Sequence, residues 1–178
     1  MSEQLVITAL GEDRPGLVNE LSNKLTDFNL NIEDSRMSML GGEFAIILLV
    51  SGSATSIEKL SQSVSTLETT LNMKLLVKKT TRKPTQEKLV PYQVEVVSID
   101  HPGIVQEIAS FFSTREINII DMKTTCYRAA HTGTPMFALN ITIGVPDSLP
   151  ISEFKEHFIK VCDEKNLDVK LETMSQQL

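Results

Sequence analysis

The chain has 178 residues, 41% of them hydrophobic and 22% charged, with a formal net charge of −6. That is ordinary globular composition, and the acidic balance argues against a broad nucleic-acid face, which needs a basic surplus on one side. No apolar run approaches the roughly 20 residues of a membrane-spanning helix; the longest, Phe44 to Val50, is strand-length.

Leu5 to Leu10 is β-branched and aliphatic and ends at Gly11, which predicts a strand. Asp13-Arg14-Pro15-Gly16 follows as a turn. Pro15 lacks an N–H and is pre-set in φ, so a helix is expected to start there. Leu17, Leu21, Leu25 and Phe28 form its apolar stripe, and Asn29 or Asn31 its stop. Ile32 to Met39 reads as a second strand, Gly41-Gly42 as a tight hairpin whose residues take positive φ, and Glu43 to Ser51 as a third strand. That third strand is nearly all apolar, which predicts a central position covered on both faces. Thr55-Ser56-Ile57-Glu58 reads as a capping box. It opens a helix with the stripe Ile57, Leu60, Val64, Leu67 and Leu71, and Lys74 to Thr80 closes the unit as a fourth strand.

Thr81 to Pro91 has no apolar periodicity and contains Pro84, so residues 81–91 are expected to link a domain over 1–80 to one over 92–178. With the end of the preceding strand this is the most basic segment: Lys78, Lys79, Arg82, Lys83 and Lys88 against Glu87. It reads as a solvated connector. Nucleic-acid binding through Lys78–Lys88 is the weaker alternative, because the run is short and lacks aromatics.

The second unit repeats the order. Tyr92 to Ile99 is its first strand and Pro102 to Thr114 its first helix. Ile119 to Tyr127 and Met136 to Ile143 form its hairpin, a helix capped by Ser152 carries Phe154, Phe158 and Val161, and Leu167 to Thr173 closes it; Met174 to Leu178 reads as a loose tail. The repetition is literal. Asp13-Arg14-Pro15-Gly16-Leu17-Val18 returns as Asp100-His101-Pro102-Gly103-Ile104-Val105, an offset of 87 (100 − 13 = 87) that holds to Asp34 and Asp121. Eight of the 22 paired positions in that window are identical. Such self-similarity marks a duplicated structural unit. The β-α-β-β-α-β order is the split-βαβ, ferredoxin-like pattern. The expected fold is therefore α+β: two four-stranded antiparallel sheets, each with two helices on one face.

No catalytic constellation is visible: no nucleophile elbow, no phosphate-binding glycine loop and no HExxH. Cys126 and Cys162 lie in no CxxC or Cys/His cluster, so they read as thiols of a reducing cytosol, in a chain without a signal peptide, rather than as metal ligands. His131 and His157 read as solvated surface. The repeated turn is the better candidate. A strand feeds a helix whose first N–H groups are unsatisfied and carry the positive end of the dipole. Gly16 and Gly103 leave those groups open to a carboxylate. Asn31 and Asn118 offer both donor and acceptor, the pairing a free amino acid needs. The bland alternative weighs as much: Pro and Gly shape a turn, and Asn and Asp end a helix.

These residues resemble the ACT domain: Asp-Arg-Pro-Gly-Leu-Val after a strand, Asn31-Ile32-Glu33-Asp34 downstream, and Met39-Leu40-Gly41-Gly42-Glu43-Phe44 at the hairpin. The match is close in the first unit and looser in the second, where His101 replaces Arg14, Ile120 replaces Glu33 and the hairpin is longer. The resemblance implies a ferredoxin-like regulatory module that binds a small amino acid between two copies and needs neither cofactor nor metal. It implies ligand contacts from Asp13, Arg14, Pro15, Gly16, Asn31 and Asp34 in the first unit, and from Asp100, His101, Gly103, Asn118 and Asp121 in the second. It further implies a cytoplasmic, homo-oligomeric, non-enzymatic repressor of the glycine cleavage operon. Such a protein would respond to glycine and act through a separate DNA-binding activator. Ligand-free ACT units serving as an oligomerisation or docking adaptor are the alternative.

Overall fold

A computed structural model describes residues 2–81 and 88–174. The chain divides into two compact units, Met1–Pro84 and Thr85–Leu178. The first contains β1 (Ser2–Glu12), α1 (Leu17–Asp27), β2 (Asn31–Leu40), β3 (Glu43–Ser53), α2 (Ala54–Gln62), α3 (Val64–Leu71) and β4 (Met73–Thr80). The second contains β5 (Leu89–Ile99), α4 (Ile104–Ser113), β6 (Asn118–Arg128), β7 (Pro135–Pro146), α5 (Ile151–Glu164) and β8 (Asp168–Thr173). Each forms a four-stranded antiparallel sheet, ordered β2-β3-β1-β4 and β6-β7-β5-β8. Both are the expected ferredoxin-like unit.

Alternation decides which face is covered. Leu5, Ile7, Ala9, Ile46, Leu48 and Val50 point to the helices and are buried with Leu17, Leu21, Leu25, Ile57 and Leu60. The alternate residues point the other way: Val6, Thr8 and Leu49 are half-buried, and Leu10 and Ile47 are exposed. The third strand is central, as its apolar run suggested, but the helices of its unit cover one face only, because both crossovers return over the same side. The second unit repeats this arrangement with an aromatic core. Phe111, Phe112, Phe154 and Phe158 meet at centroid distances of 4.8–6.4 Å, in a cluster with Val94, Val96, Leu139 and Ile141.

Several boundaries differ from the sequence reading, each for a local reason. The second helix is two, α2 and α3, broken at Ser63. The Ser63 hydroxyl donates to the Lys59 carbonyl and its N–H is shared between Lys59 and Leu60, the back-bonding that bends helices. The cap of α2 is Ser53, whose hydroxyl accepts from the Ser56 N–H at 3.1 Å; the expected box, two residues later, lies inside the helix. Likewise α5 starts after Pro150 rather than at Ser152. Only Gly41 of the Gly41-Gly42 pair has positive φ. The expected linker is shorter at its end, since Leu89 to Pro91 pair with β7 as the start of β5. Its 82–87 segment, with Arg82, Lys83, Pro84 and Glu87, lies outside the described residues, as does 175–178 of the expected tail.

Candidate ligand-binding site

The repeated turn is built by its glycine. Gly16 has φ 89° and ψ −8°, and the Leu17 N–H points to the Arg14 carbonyl at 3.4 Å. Pro15 followed by a left-handed glycine is the type II turn. That geometry delays α1 to Leu17, two residues past the expected start at Pro15, because a positive φ cannot continue a right-handed helix. Gly103 repeats it with φ 103° and ψ −12°, and α4 starts at Ile104. Neither helix has a side-chain N-cap. Apart from the Leu17 N–H, which the first turn uses, the first N–H groups lack an intrahelical partner, at the positive end of the dipole and beside a residue without Cβ.

The two turns then part company. In the first, the Arg14 guanidinium donates to both carboxylate oxygens of Glu20, at 2.6 and 2.5 Å, in the bidentate geometry that makes such pairs strong. These hydrogen bonds hold the Glu20 carboxyl below its ordinary range and push the Arg14 guanidinium above its own. In the second, His101 is exposed, with Nδ1 3.2 Å from the Pro102 carbonyl oxygen. Glu107, the counterpart of Glu20 (107 − 20 = 87), instead pairs with Lys165 at 3.1 Å. A groove of about 440 Å³ opens beside this turn, lined by His101, Gly103, Val105, Gln106, Ala109 and Phe137.

The asparagines are elsewhere. Asn31 pairs in register with Ser51 and, through it, Gln4. From Gln4 to Glu12, where the turn begins, is eight residues of strand (12 − 4 = 8), about 26 Å at 3.3 Å per residue. Asn118 shares a row with Gly144 and Pro91, again eight residues from Ile99 (99 − 91 = 8). Asp34 and Asp121 lie on the sheet faces opposite the helices of their own units, in rows with Leu49 and Thr142. Within one unit, then, the turn residues gather, while Asn31, Asp34, Asn118 and Asp121 are at or toward the far end of the sheet.

At that far end the structure adds residues the sequence reading passed over. The register shift between Ile32 and Asp34 turns Glu33 out of the ladder. There it accepts hydrogen bonds from the Ser51 hydroxyl and, at 3.1 Å, from the Asn31 amide. These contacts, Ser51 first, hold its carboxyl below the ordinary range. Glu33 and Ser51 line an open cleft of about 730 Å³ with Glu3, Gln4, Lys79 and Thr80. The missed signal was Glu33 itself, visible only as a difference from Ile120.

No constellation suited to acid–base or nucleophilic chemistry is assembled from the described residues, and none of their His, Cys, Asp and Glu groups could hold a metal. Cys162 is buried and its thiol is pushed up to about 12, chiefly by desolvation. Of the basic segment, Lys78 and Lys79 belong to β4, and Lys79 pairs with Glu3 at 3.2 Å. No helix of the described residues is long and apolar enough to cross a membrane.

Known proteins agree with this architecture. The ACT domain family matches residues 3–78. The glycine cleavage system transcriptional repressor of Escherichia coli is 32% identical over 162 residues, covering 91% of this chain and 85% of the relative. A crystal structure of a protein of unknown function from Galdieria sulphuraria superposes over 98% of this chain and all of that one, with TM-score 0.80 and 26% identity. Another, of a protein provisionally identified as a glycine cleavage system transcriptional repressor, covers 99% of both chains with TM-score 0.76 and 27% identity. An alignment running through both units, on the same tandem fold, means that the chain belongs to the ACT-domain family of the glycine cleavage system transcriptional repressor.

Proposed function

We propose that this chain is a non-enzymatic, cytoplasmic regulator that senses a small amino acid, glycine foremost, and represses transcription by contacting a separate DNA-binding activator. The observation that carries the reading is the turn. Both units present a left-handed glycine at an uncapped helix start, a carboxylate-binding arrangement, in a chain whose relatives are named as repressors.

The position of the asparagines supports a site shared between two copies of the unit. Turn and asparagine lie at opposite ends of one sheet, so a ligand touching both needs two copies of the unit. Strands β2 and β6 are sheet edges, free to pair. Antiparallel pairing of two such edges brings the start of one strand beside the turn end of the other. The turn N–H groups then hold the carboxylate, and the asparagine carbonyl accepts from the ammonium. Asp13 and Asp100 add negative charge beside that ammonium. The second turn is the more open of the two, because no Arg–Glu pair closes over it.

The test is capture of the activator from a cell extract by the immobilised chain, with and without glycine. Glycine-dependent retention is expected. No retention in either condition sinks the regulatory reading, and retention indifferent to glycine supports the ligand-free adaptor instead.

A further inference from the structure

In the first turn a carboxylate is already in place, and it is the chain's own. Glu20 stands one helical turn beyond Gly16, its N–H donating to the Gly16 carbonyl at 2.9 Å. Its side chain folds back over the turn, so that Oε1 lies 3.9 Å from where a Cβ on Gly16 would be. Arg14 holds both carboxylate oxygens, at 2.6 and 2.5 Å. The space that glycine leaves beside the helix start therefore holds an anion paired with a guanidinium, the partner a free carboxylate would also choose. The pair is not packed in place. The Arg14 and Glu20 side chains are 39% and 45% exposed, so they can part without disturbing the buried Leu17 and Leu21.

The second turn has the same backbone and no such cover. Glu107 pairs with Lys165 at 3.1 Å, a Cβ on Gly103 would meet nothing within 4 Å, and the ring of His101 cannot make the two-pronged contact of a guanidinium. Duplication has thus left one turn that carries an internal carboxylate and one that does not.

Resting on the amino-acid reading above, we propose that Glu20 is an internal competitor at the first turn, holding Arg14 until the carboxylate of an amino acid takes its place on the guanidinium. The exchange replaces one Arg–carboxylate pair with another. Arg14 therefore adds little net affinity while Glu20 is present, and its whole charge becomes available once Glu20 is neutral. Opening a solvated ion pair of this kind costs about two- to fivefold in affinity. The sign separates this role from a structural one. Glu20→Gln and Arg14→Ala both break the pair, so a pair that only fastens the turn would make the two variants alike. A competitor makes them opposite: Glu20→Gln frees the guanidinium for ligand, whereas Arg14→Ala removes it and leaves the Glu20 charge to repel the incoming carboxylate.

Glycine titrations of the full chain, followed at the backbone amide signals of Gly16 and Gly103, test this turn by turn. Relative to wild type, Glu20→Gln is expected to lower the glycine midpoint read at Gly16 about two- to fivefold, and Arg14→Ala to raise it by at least a similar factor. The midpoint at Gly103 stays where it is in both, which also shows that the variants remain folded. A Gly16 midpoint indifferent to Glu20→Gln, or shifted the same way by both variants, overturns the proposal and leaves the amino-acid reading standing. So does glycine that moves only the Gly103 signal in all three proteins. Glycine that moves neither signal in any of them overturns both.

Discussion

Arg14 closes over the first turn of α1 onto Glu20, two hydrogen bonds at 2.6 and 2.5 Å joining a turn residue to the helix it introduces. The repeated position breaks the relationship: His101 is a shorter, planar group, and Glu107 turns to Lys165. One substitution in a duplicated motif thus changes which charges surround the helix start.

The pair gives the first unit a pH signature. The folded Glu20 carboxyl lies below its ordinary range because Arg14 donates to it, so the unfolded chain binds its proton more readily. Its stabilisation is present above the ordinary carboxylate value of about 4.3 and is lost as pH falls through the lower folded value. Urea midpoints from pH 7 to pH 3 at low salt should fall further for wild type than for Glu20→Gln. Parallel curves would show that the pair contributes nothing. Both groups are solvated, so added salt should shrink the difference.

The turn glycines are held by conformation rather than by space. A Cβ on Gly16 would meet only Glu20 Oε1, at 3.9 Å, and one on Gly103 nothing within 4 Å. Gly16→Ala and Gly103→Ala should each cost about 1–2 kcal/mol through positive φ. Gly16→Asn and Gly103→Asn should cost less, since asparagine tolerates that region. Thermal or urea melts decide the point; a costlier asparagine would mean that crowding governs.

The cysteines should separate cleanly. Cys126 is exposed on β6 while Cys162 is buried with its thiol pushed up to about 12. At pH 8 a maleimide should modify the native protein once, at Cys126, and twice after denaturation. Native labelling of Cys162 would contradict the packing of α5.

Phe112 and Phe158 have no exposed surface, and their rings meet at a centroid distance of 5.2 Å, tilted by 37°. Phe112→Ala should cost about 3–5 kcal/mol in urea unfolding. A loss below about 1 kcal/mol would mean that the aromatic core is not packed as described.

The fold was legible because its signals are local and repeated. Pro15 and Gly16 mark a turn, the Leu17–Leu21–Leu25 stripe a helix, and alternation a one-faced sheet. Of the two stops read for α1, Asn29 or Asn31, it is Asn29 that turns the chain, at φ 54°, with the Leu30 N–H reaching back to the Leu25 carbonyl. The break at Ser63 was not legible, since the stripe from Ile57 to Leu71 runs straight through it; hydroxyl back-bonding leaves no mark on apolar spacing. The geometry of the candidate site was legible only in part. Composition pointed to the turn, but sequence order says nothing of sheet ends, so Asn31 and the turn looked like neighbours. Glu33 was hidden because the shift that turns it out of the ladder is a property of strand pairing.

The most direct measurement is calorimetric titration of the full chain with glycine, serine and, as controls, acetate and glycinamide. Saturable binding is predicted for amino acids that present both carboxylate and ammonium, and for neither control. Asn31→Ala with Asn118→Ala should weaken it about 10- to 100-fold, the loss of a hydrogen bond to a charged group. Gly16→Val with Gly103→Val should abolish it. Heats of dilution alone for the wild type, or unchanged affinity in the asparagine variant, would contradict the account.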